Sequence, residues 1–202
     1  MQTLLADFGS DFVKAGLSSA EKPTFTFPAE VGTIRTGFDF VLGGQTCLVG
    51  DEALCKKGIL NLYRPRQEGM VFSKKEFEIL WSHCLEQYTT NMDSKANMLI
   101  CESVGAVEEM RAQVHKKQRE LLIELTFEQA GLSGFYSSPE ALLALLACKK
   151  TRGLAFKSGA GSTEVIRAFD GHIIMTSSRP VCCLTGSLLS IQIIRLITDE
   201  GY

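Results

Sequence analysis

The length, composition and charge of the chain limit its function before any motif is considered. It has 202 residues, 45% of them hydrophobic and 22% charged, and a formal net charge of -2 at pH 7. This is ordinary for a globular protein with one large domain or two small ones. The nearly neutral charge argues against broad electrostatic binding to nucleic acid or to an anionic membrane. No apolar run reaches the roughly 18 residues that a membrane span needs. We therefore expect neither nucleic acid nor a membrane as a direct partner.

The cysteines and histidines indicate reduced thiols rather than a metal centre. The seven cysteines are scattered and lack the spacing of metal ligands. His83, His115 and His172 lie far apart in the sequence, which argues against a histidine metal site and against a Cys–His nucleophile pair. We expect mostly buried, reduced cysteines and an intracellular protein.

The first half of the chain predicts short strands, a small insert and one helix. Residues 4–7 favour a buried strand, and residues 11–17 favour its antiparallel return. Residues 33–50 mix β-forming residues with glycines, which is typical of a hairpin element. Residues 51–60 predict a short helix interrupted by glycine. The sequence SKKE at residues 73–76 is a capping box, and it starts an amphipathic helix.

The second half of the chain predicts alternating helices and strands, with a hairpin near its end. The predicted helices are a long charged one, a short apolar one and an amphipathic one, over residues 107–131, 138–150 and 187–198. The predicted strands cover residues 96–102, 153–156 and 162–169, and a glycine turn at 157–161 joins the last two. The pair Asp170-Gly171 signals a further hairpin turn.

The turn between the first two strands has the features of a phosphate-binding loop. A tight turn after a strand points successive backbone N–H groups into the bend, and such a concavity binds anions. Gly9 allows close approach, Ser10 supplies a hydroxyl and an N–H group, and Lys14 supplies a compact cation. Asp7, at the end of the strand, is placed to hold a hydrated Mg²⁺.

A second glycine turn repeats this design about 150 residues later in the chain. It consists of Ser158, Gly159, Ala160 and Gly161. The repetition indicates two related halves that clasp one nucleotide. Neither turn belongs to a GxxxxGK[ST] loop or to a GxGxxG motif at a strand–helix junction, so ordinary turns remain the alternative at this point.

Beyond these turns, the chain resembles actin and the actin-related proteins. Residues 4–32 are similar to actin's opening, which contains its first phosphate loop and the following FP-x-x-VG. Residues 49–71, which begin VGDEALCKKGIL, are similar to actin's VGDEA-x-x-KRGIL segment, and this stretch is quite specific to the family. Residues 138–153 match the helix that leads to the second phosphate loop. The similarity covers the whole chain, with drift in residues 33–48, 101–127 and 172–190.

The resemblance implies an α/β chain with the actin-like (actin/Hsp70/sugar-kinase) nucleotide-binding fold, comprising the first lobe and the beginning of the second. Residues 1–32 and 71–150 would form the first-lobe core, residues 33–70 an insert like actin's subdomain 2, and residues 151–202 an incomplete start of the second lobe. The family's chain continues well beyond this length. We therefore expect a fragment or a truncated relative, with weak nucleotide affinity and exposed apolar surface.

The resemblance also implies a role for each residue of the two turns. ATP or ADP with Mg²⁺ is the expected cofactor, and Asp7 would face the cation through water. The phosphates would contact two groups of residues, namely Gly9, Ser10, Asp11 and Lys14 in the first loop and Ser158, Gly159, Ala160 and Gly161 in the second.

Three positions depart from the family's pattern in a way that bears on catalysis. Lys157 and Ala160 stand where actin has phosphate-loop aspartates, and Glu140 stands where the family has the glutamine that positions the attacking water. A lysine would add positive charge near the phosphates or repel Mg²⁺, unless its long stem turns to solvent. Glu140 would repel the triphosphate. Because positioning and electrostatic stabilisation are both weakened, we expect little or no ATP hydrolysis.

Three functions follow from the resemblance. The first is a non-catalytic structural or scaffold subunit that binds other actin-like or complex subunits in a cytoskeletal or chromatin-associated assembly. It would lie in the cytoplasm, with the nucleus as a second compartment. The second is a filament-forming actin with an altered ATPase. The third, a sugar or glycerol kinase, is disfavoured by the actin-like segment at residues 49–71.

The loop that docks into the next subunit of an actin filament corresponds to residues 33–48 of this chain. Here it keeps the apolar residues Phe38, Phe40, Val41 and Leu42 but not actin's sequence. A partner-binding loop and an ordinary hairpin packed on its own lobe are both open.

Overall fold

The structure is a computed structural model that describes residues 2–37, 45–67, 70–89, 96–104, 109–174, 178–181 and 184–201. The chain divides into two units. The first comprises Met1–Ile100 with Gln118–Ser137, and the second comprises Cys101–Lys117 with Ser138–Tyr202. The second unit thus includes residues that precede position 151, where the start of the second lobe was predicted.

Among the described residues, ten strands and three helices precede Glu140. The strands are β1 (Thr3–Phe8), β2 (Phe12–Leu17), β3 (Phe25–Pro28), β4 (Val31–Ile34), β5 (Cys47–Val49), β6 (Leu60–Tyr63), β7 (Arg66–Gln67), β8 (Met70–Val71), β9 (Asn97–Glu102) and β10 (Gly134–Pro139). The helices are α1 (Asp51–Cys55), α2 (Lys74–Thr89) and α3 (Glu109–Glu124), the last continuing as a π-helical turn over Leu125–Gln129.

The remaining elements are two helices and four strands. They are α4 (Glu140–Ala147), β11 (Gly153–Ser158), β12 (Thr163–Phe169), β13 (His172–Ile173), β14 (Arg179–Val181) and α5 (Gly186–Asp199).

A five-stranded mixed sheet carries the core of the first unit, in the order β10-β9-β1-β2-β3. β9 runs parallel to β1, whereas β2 is antiparallel to it, as the sequence predicts. Alternate residues of β1 are buried, and Phe8 at its end stacks on Trp81 of α2 with ring centroids 5.4 Å apart. Burial of each such large apolar side chain contributes about 1.5–3 kcal/mol. The position of the first turn is therefore fixed by a well-packed strand.

The insert within residues 33–70 forms a small sheet of its own. Its three strands lie in the order β5-β4-β6, and α1 covers them around Leu48, Ala53 and Leu60. The hairpin prediction for residues 33–50 is confirmed in its described strands. The predictions for Phe38, Phe40, Val41 and Leu42 lie outside the described residues.

The second unit is built on a smaller sheet, in which β12 pairs with β11, β13 and β14. Its buried apolar core is small and consists of Val104, Ala141 and Ile166. The predicted hairpin at Asp170-Gly171 is confirmed. Both residues have a positive φ, of 50° and 77°, which is what a tight two-residue hairpin turn requires.

Helix α5 begins after Thr185, whose hydroxyl accepts the N–H of Leu188 at 3.3 Å. None of its residues is buried, and its apolar side chains are exposed. They are Leu188, Leu189, Ile191, Ile193, Ile194, Leu196 and Ile197. Within the described ranges, no helix is both long and apolar enough to cross a membrane.

Three sequence-based predictions are wrong in detail. Strand β10 was not predicted, and its last residues Ser138 and Pro139 were assigned to the following helix. The second turn starts at Gly159 rather than at Lys157, because β11 runs on through Ser158. Of the five cysteines whose exposure the structure describes, only Cys84 is buried, so the thiols are not mostly buried.

Candidate functional site

The first glycine turn is closed by a single backbone hydrogen bond. The Gly9 N–H group donates to the carbonyl oxygen of Phe12 at 3.0 Å, just beyond the last β1–β2 pair, Phe8 and Val13. A Cβ atom at Gly9 would lie only 2.6 Å from that same carbonyl oxygen. Glycine is therefore required at this position, because a larger residue would clash with the Phe12 carbonyl oxygen.

A residue predicted to face the cation and a residue predicted to bind phosphate lie together beside this turn. Asp7 and Lys14 are direct cross-strand partners on β1 and β2. The Lys14 ammonium lies 3.4 Å from the Asp7 carboxylate, with side chains 50% and 19% exposed. The cation predicted for phosphate and the carboxylate predicted for Mg²⁺ thus face each other as an ion pair.

An arginine that sequence reasoning missed reaches the first turn from the insert. Arg64 contacts the Asp11 carboxylate through Nη1 at 3.1 Å and the Glu30 carboxylate through Nε at 2.6 Å. The hydrogen bond to Glu30 raises the pKa of the Arg64 guanidinium, and the charges of both carboxylates act in the same direction against the effect of burial. Asp11, predicted as part of the phosphate loop, is therefore tied to the insert through its side chain.

A second arginine from the same segment holds the backbone of the turn. The buried side chain of Arg66 donates to the carbonyl oxygen of Phe8, the residue before Gly9. The carbonyl of Asp11 accepts the N–H of Ala29 at 2.8 Å. These contacts fix two peptide groups of the turn. The only sequence signal for them is the cluster of arginines at residues 64–66.

The second turn closes in the same way as the first. Gly159 N–H donates to the carbonyl oxygen of Ser162 at 2.9 Å, beyond the last β11–β12 pair, Ser158 and Thr163. The hydroxyl groups of that pair lie 3.2 Å apart. Gly159, Ala160 and Gly161 thus form the bend, and Ser158 is the strand residue that enters it.

The start of α5 orients the peptide groups of the second turn. Gly186 N–H donates to the Gly159 carbonyl and Ser187 N–H to the Ala160 carbonyl, both at 3.0 Å. In a trans peptide group the C=O and N–H bonds point in opposite directions. The N–H groups of Ala160 and Gly161 therefore point away from α5, side by side, as in the backbone concavities that bind anions.

Lys157 and Glu140, the two charged residues that depart from the family's pattern, contact each other. The Lys157 ammonium lies 2.5 Å from the Glu140 carboxylate, with side chains 19% and 36% exposed. Glu140 is the first residue of α4, and Lys157 is the residue before Ser158 on β11. The Lys157 stem therefore does not extend into solvent, and each charge partly neutralises the other.

The donors around the second turn do not fit a divalent cation. Mg²⁺ is bound by oxygen ligands, usually one or two carboxylates with water and phosphate. Here the carboxylate of Glu140 is in contact with the ammonium group of Lys157. Within the described parts of the chain, no group of three or more His, Cys, Asp and Glu side chains could hold a metal ion. Asp7 at the first turn remains the single predicted ligand, through water.

Comparison with protein families agrees with this architecture. The described residues form a mixed α/β fold with two matching strand–turn–strand elements, each with a glycine turn. A family model described as Actin matches residues 1–201 of the 202-residue chain. The chain belongs to the actin family and has an actin-like fold, so the resemblance and the fold class predicted from the sequence are confirmed.

The roles assigned to the individual site residues stay predictions. The structure groups Asp7, Gly9, Ser10, Asp11 and Lys14 at one turn of the first unit. It groups Ser158, Gly159, Ala160 and Gly161 at one turn of the second. That both turns clasp one nucleotide concerns the placement of the two units and stays a prediction as well.

Proposed function

We propose that this actin-family chain is a non-catalytic structural subunit that works by binding protein partners and retains weak affinity for ATP or ADP. The partners would be other actin-like or complex subunits of a cytoskeletal or chromatin-associated assembly. The cytoplasm is its proposed compartment, and the nucleus is the second. The observation that carries the non-catalytic part is the Lys157–Glu140 ion pair.

This ion pair stands at two positions that the family uses for hydrolysis. A carboxylate there acts through the cation, and a glutamine amide orients the attacking water. An ammonium cannot bind Mg²⁺, and a carboxylate lacks the amide N–H groups with which a glutamine can donate hydrogen bonds to water. Loss of one positioned group typically lowers an enzymatic rate by about 10²–10³-fold. Two such losses would leave hydrolysis near background.

Retention of a nucleotide is supported by the backbone rather than by the catalytic side chains. Both turns keep the glycine at which the hairpin closes, and both keep the hydrogen bond that closes it. The Ala160 and Gly161 N–H groups share one direction, and Lys14 is half exposed beside the first turn. Such groups bind phosphate oxygens irrespective of hydrolysis.

A role in binding proteins is supported by the surface. The net charge of -2 gives no general attraction to polyanions. Apolar side chains are exposed along α5, and contiguous exposed apolar surface is typical of proteins that associate with other proteins.

Phosphate release from Mg-ATP tests the non-catalytic part of the proposal. We expect the wild-type chain to release phosphate no faster than buffer. A rate above buffer that disappears in Lys14→Ala, but persists in the exposed control Lys150→Ala, would overturn the proposal.

Sedimentation tests the structural role against filament formation. After incubation with Mg-ATP, a subunit of a larger assembly should remain in the supernatant at high speed. A nucleotide-dependent pellet would instead support the alternative of a filament-forming actin with an altered ATPase.

A further inference from the structure

We propose that the ammonium group of Lys157 replaces the divalent cation at the second turn, so that ATP or ADP binds this chain without Mg²⁺. This inference rests on the proposed nucleotide binding and goes beyond it, because it removes the metal that the family's fold implies. It is carried by the placement of one charged side chain relative to the turn.

The Lys157 side chain runs along the second turn. It lies two residues before Gly159, and its Cε atom would be 3.8 Å from a Cβ atom at that glycine. Its side chain is only 19% exposed. The charge is therefore held close to the bend whose Ala160 and Gly161 N–H groups point away from α5.

The groups around Lys157 hold the ammonium in place. Glu140 contacts it at 2.5 Å, and Glu164 is its direct cross-strand partner on β12. The Glu164 carboxylate is buried and accepts the N–H of Val104 at 3.2 Å. An ammonium has three N–H donors, so contact with Glu140 leaves donors for a phosphate oxygen.

The same arrangement disfavours a metal ion. A divalent cation near this turn would meet an ammonium of like charge, and the Glu140 carboxylate already contacts that ammonium. The Lys157 ammonium supplies one positive charge beside the turn, and the Glu140 carboxylate partly neutralises it. The turn thus keeps N–H donors for a phosphate oxygen without keeping the ligands for a metal.

Equilibrium binding of a fluorescent ATP analogue, with excess Mg²⁺ and with excess EDTA, tests the inference on the wild-type chain. We expect dissociation constants that agree within about threefold, since neither condition changes the ammonium at the second turn. Binding in Mg²⁺ that is lost in EDTA would overturn the inference and leave the proposed nucleotide binding intact. Binding in neither condition would overturn both.

A double variant sharpens the test. Lys157→Asp with Glu140→Gln restores the residue types that the family has at these positions, and it should bind the analogue about tenfold or more tightly in Mg²⁺ than in EDTA. The control pair Lys150→Asp with Glu128→Gln makes the same exchanges at exposed sites and should keep the wild-type ratio. A double variant that keeps the wild-type ratio would contradict the inference.

A charge-free variant covers the case in which the double variant does not fold. Lys157→Met with Glu140→Gln removes the ion pair without adding a carboxylate. It should weaken binding about tenfold in both conditions, because the N–H donors that the Lys157 ammonium offers to a phosphate oxygen are lost. Unchanged affinity in this variant would also contradict the inference.

Discussion

The hairpin of β1 and β2 and the hairpin of β11 and β12 have the same turn in different surroundings. Each turn is closed by a glycine N–H group that donates to the carbonyl three residues later, at 3.0 and 2.9 Å. In the first hairpin, β1 lies inside a five-stranded sheet, with β9 on its other side. In the second, β11 is at the edge of its sheet, and Leu154 and Phe156 are each 67% exposed.

The comparison shows that each turn forms from the residues next to it, whereas the side chains that decide what it can bind come from distant parts of the chain. Glycine position and strand alternation are enough to form both bends. What each bend can bind depends on groups from elsewhere in the chain, namely Arg64 and Arg66 at the first turn and Glu140 at the second. The first hairpin is also buried by α2, whereas the second has little apolar cover, so the two should respond very differently to the same change.

The largest expected difference between the surroundings of the two hairpins is in the reactivity of their cysteine thiols. Cys84 lies on α2 beneath the first hairpin's sheet, and burial raises its pKa from 9.0 to about 12. Its thiolate fraction at pH 8 is thus about 10³-fold below that of an ordinary thiol. Cys148, at the end of α4 near the second hairpin, is exposed. We expect Ellman's reagent to modify Cys148 quickly and Cys84 only after unfolding.

The thiol experiment has one control and one contradicting outcome. Cys148→Ser should remove one equivalent of rapidly reacting thiol, and rapid modification of Cys84 in the native state would contradict the packing of the first unit.

The direction in which stability depends on pH follows from the same pKa of Cys84. Since the folded pKa lies above the unfolded value, the contribution of Cys84 to stability is complete below pH 9 and is lost as the pH rises towards 12.

Truncation of one aromatic side chain on each hairpin gives the next largest difference. Phe8→Ala removes a buried ring stacked on Trp81 and should lower the free energy of unfolding by about 3–5 kcal/mol. Phe156→Ala removes an exposed ring and should change it by no more than about 0.5 kcal/mol. Urea unfolding followed by Trp81 fluorescence and by circular dichroism measures both. Equal effects would mean that the hairpins do not differ in burial.

Alanine at the two turn glycines compares the turns themselves. A Cβ atom at Gly9 would lie 2.6 Å from the Phe12 carbonyl oxygen, whereas one at Gly159 would lie 3.2 Å from that of Ser162. We expect Gly9→Ala to cost about 1–3 kcal/mol by overpacking, and Gly159→Ala to cost less. Gly58→Ala, with no atom within 4 Å, is the neutral control in the same denaturation experiment. A larger cost at Gly159 would reverse the expected order.

The smallest expected difference concerns one arginine beside each hairpin. Arg64→Leu leaves the Glu30 carboxylate, which is 7% exposed, without its hydrogen bond, and should cost about 1–2 kcal/mol. Arg152 pairs with Asp170 at 2.6 Å, but both side chains are more than half exposed. Arg152→Leu should therefore cost less than about 0.5 kcal/mol. Equal costs in thermal unfolding would show that the Arg64 contacts do not stabilise the first turn.

Most strands, the two turns and the family could be predicted from the sequence, because these features depend on short-range patterns. The alternation of residues 4–17 and the glycines of both turns were sufficient for the hairpins. Strand β10 was missed because its residues, GFYSSP, carry neither a clear alternation nor β-branched side chains. The contacts of Arg64 with Glu30 and of Lys157 with Glu140 join residues 34 and 17 positions apart, and no local pattern encodes such pairings.

The first two N–H groups of α5 donate hydrogen bonds to the carbonyls of Gly159 and Ala160, so the helix and the bend are directly coupled. A shift of α5 would rotate the peptide groups of the bend. A molecule that bound the helix and shifted it would therefore alter the affinity of the bend for an anion. By thermodynamic reciprocity, an occupant of the bend would alter the affinity of that molecule by the same factor.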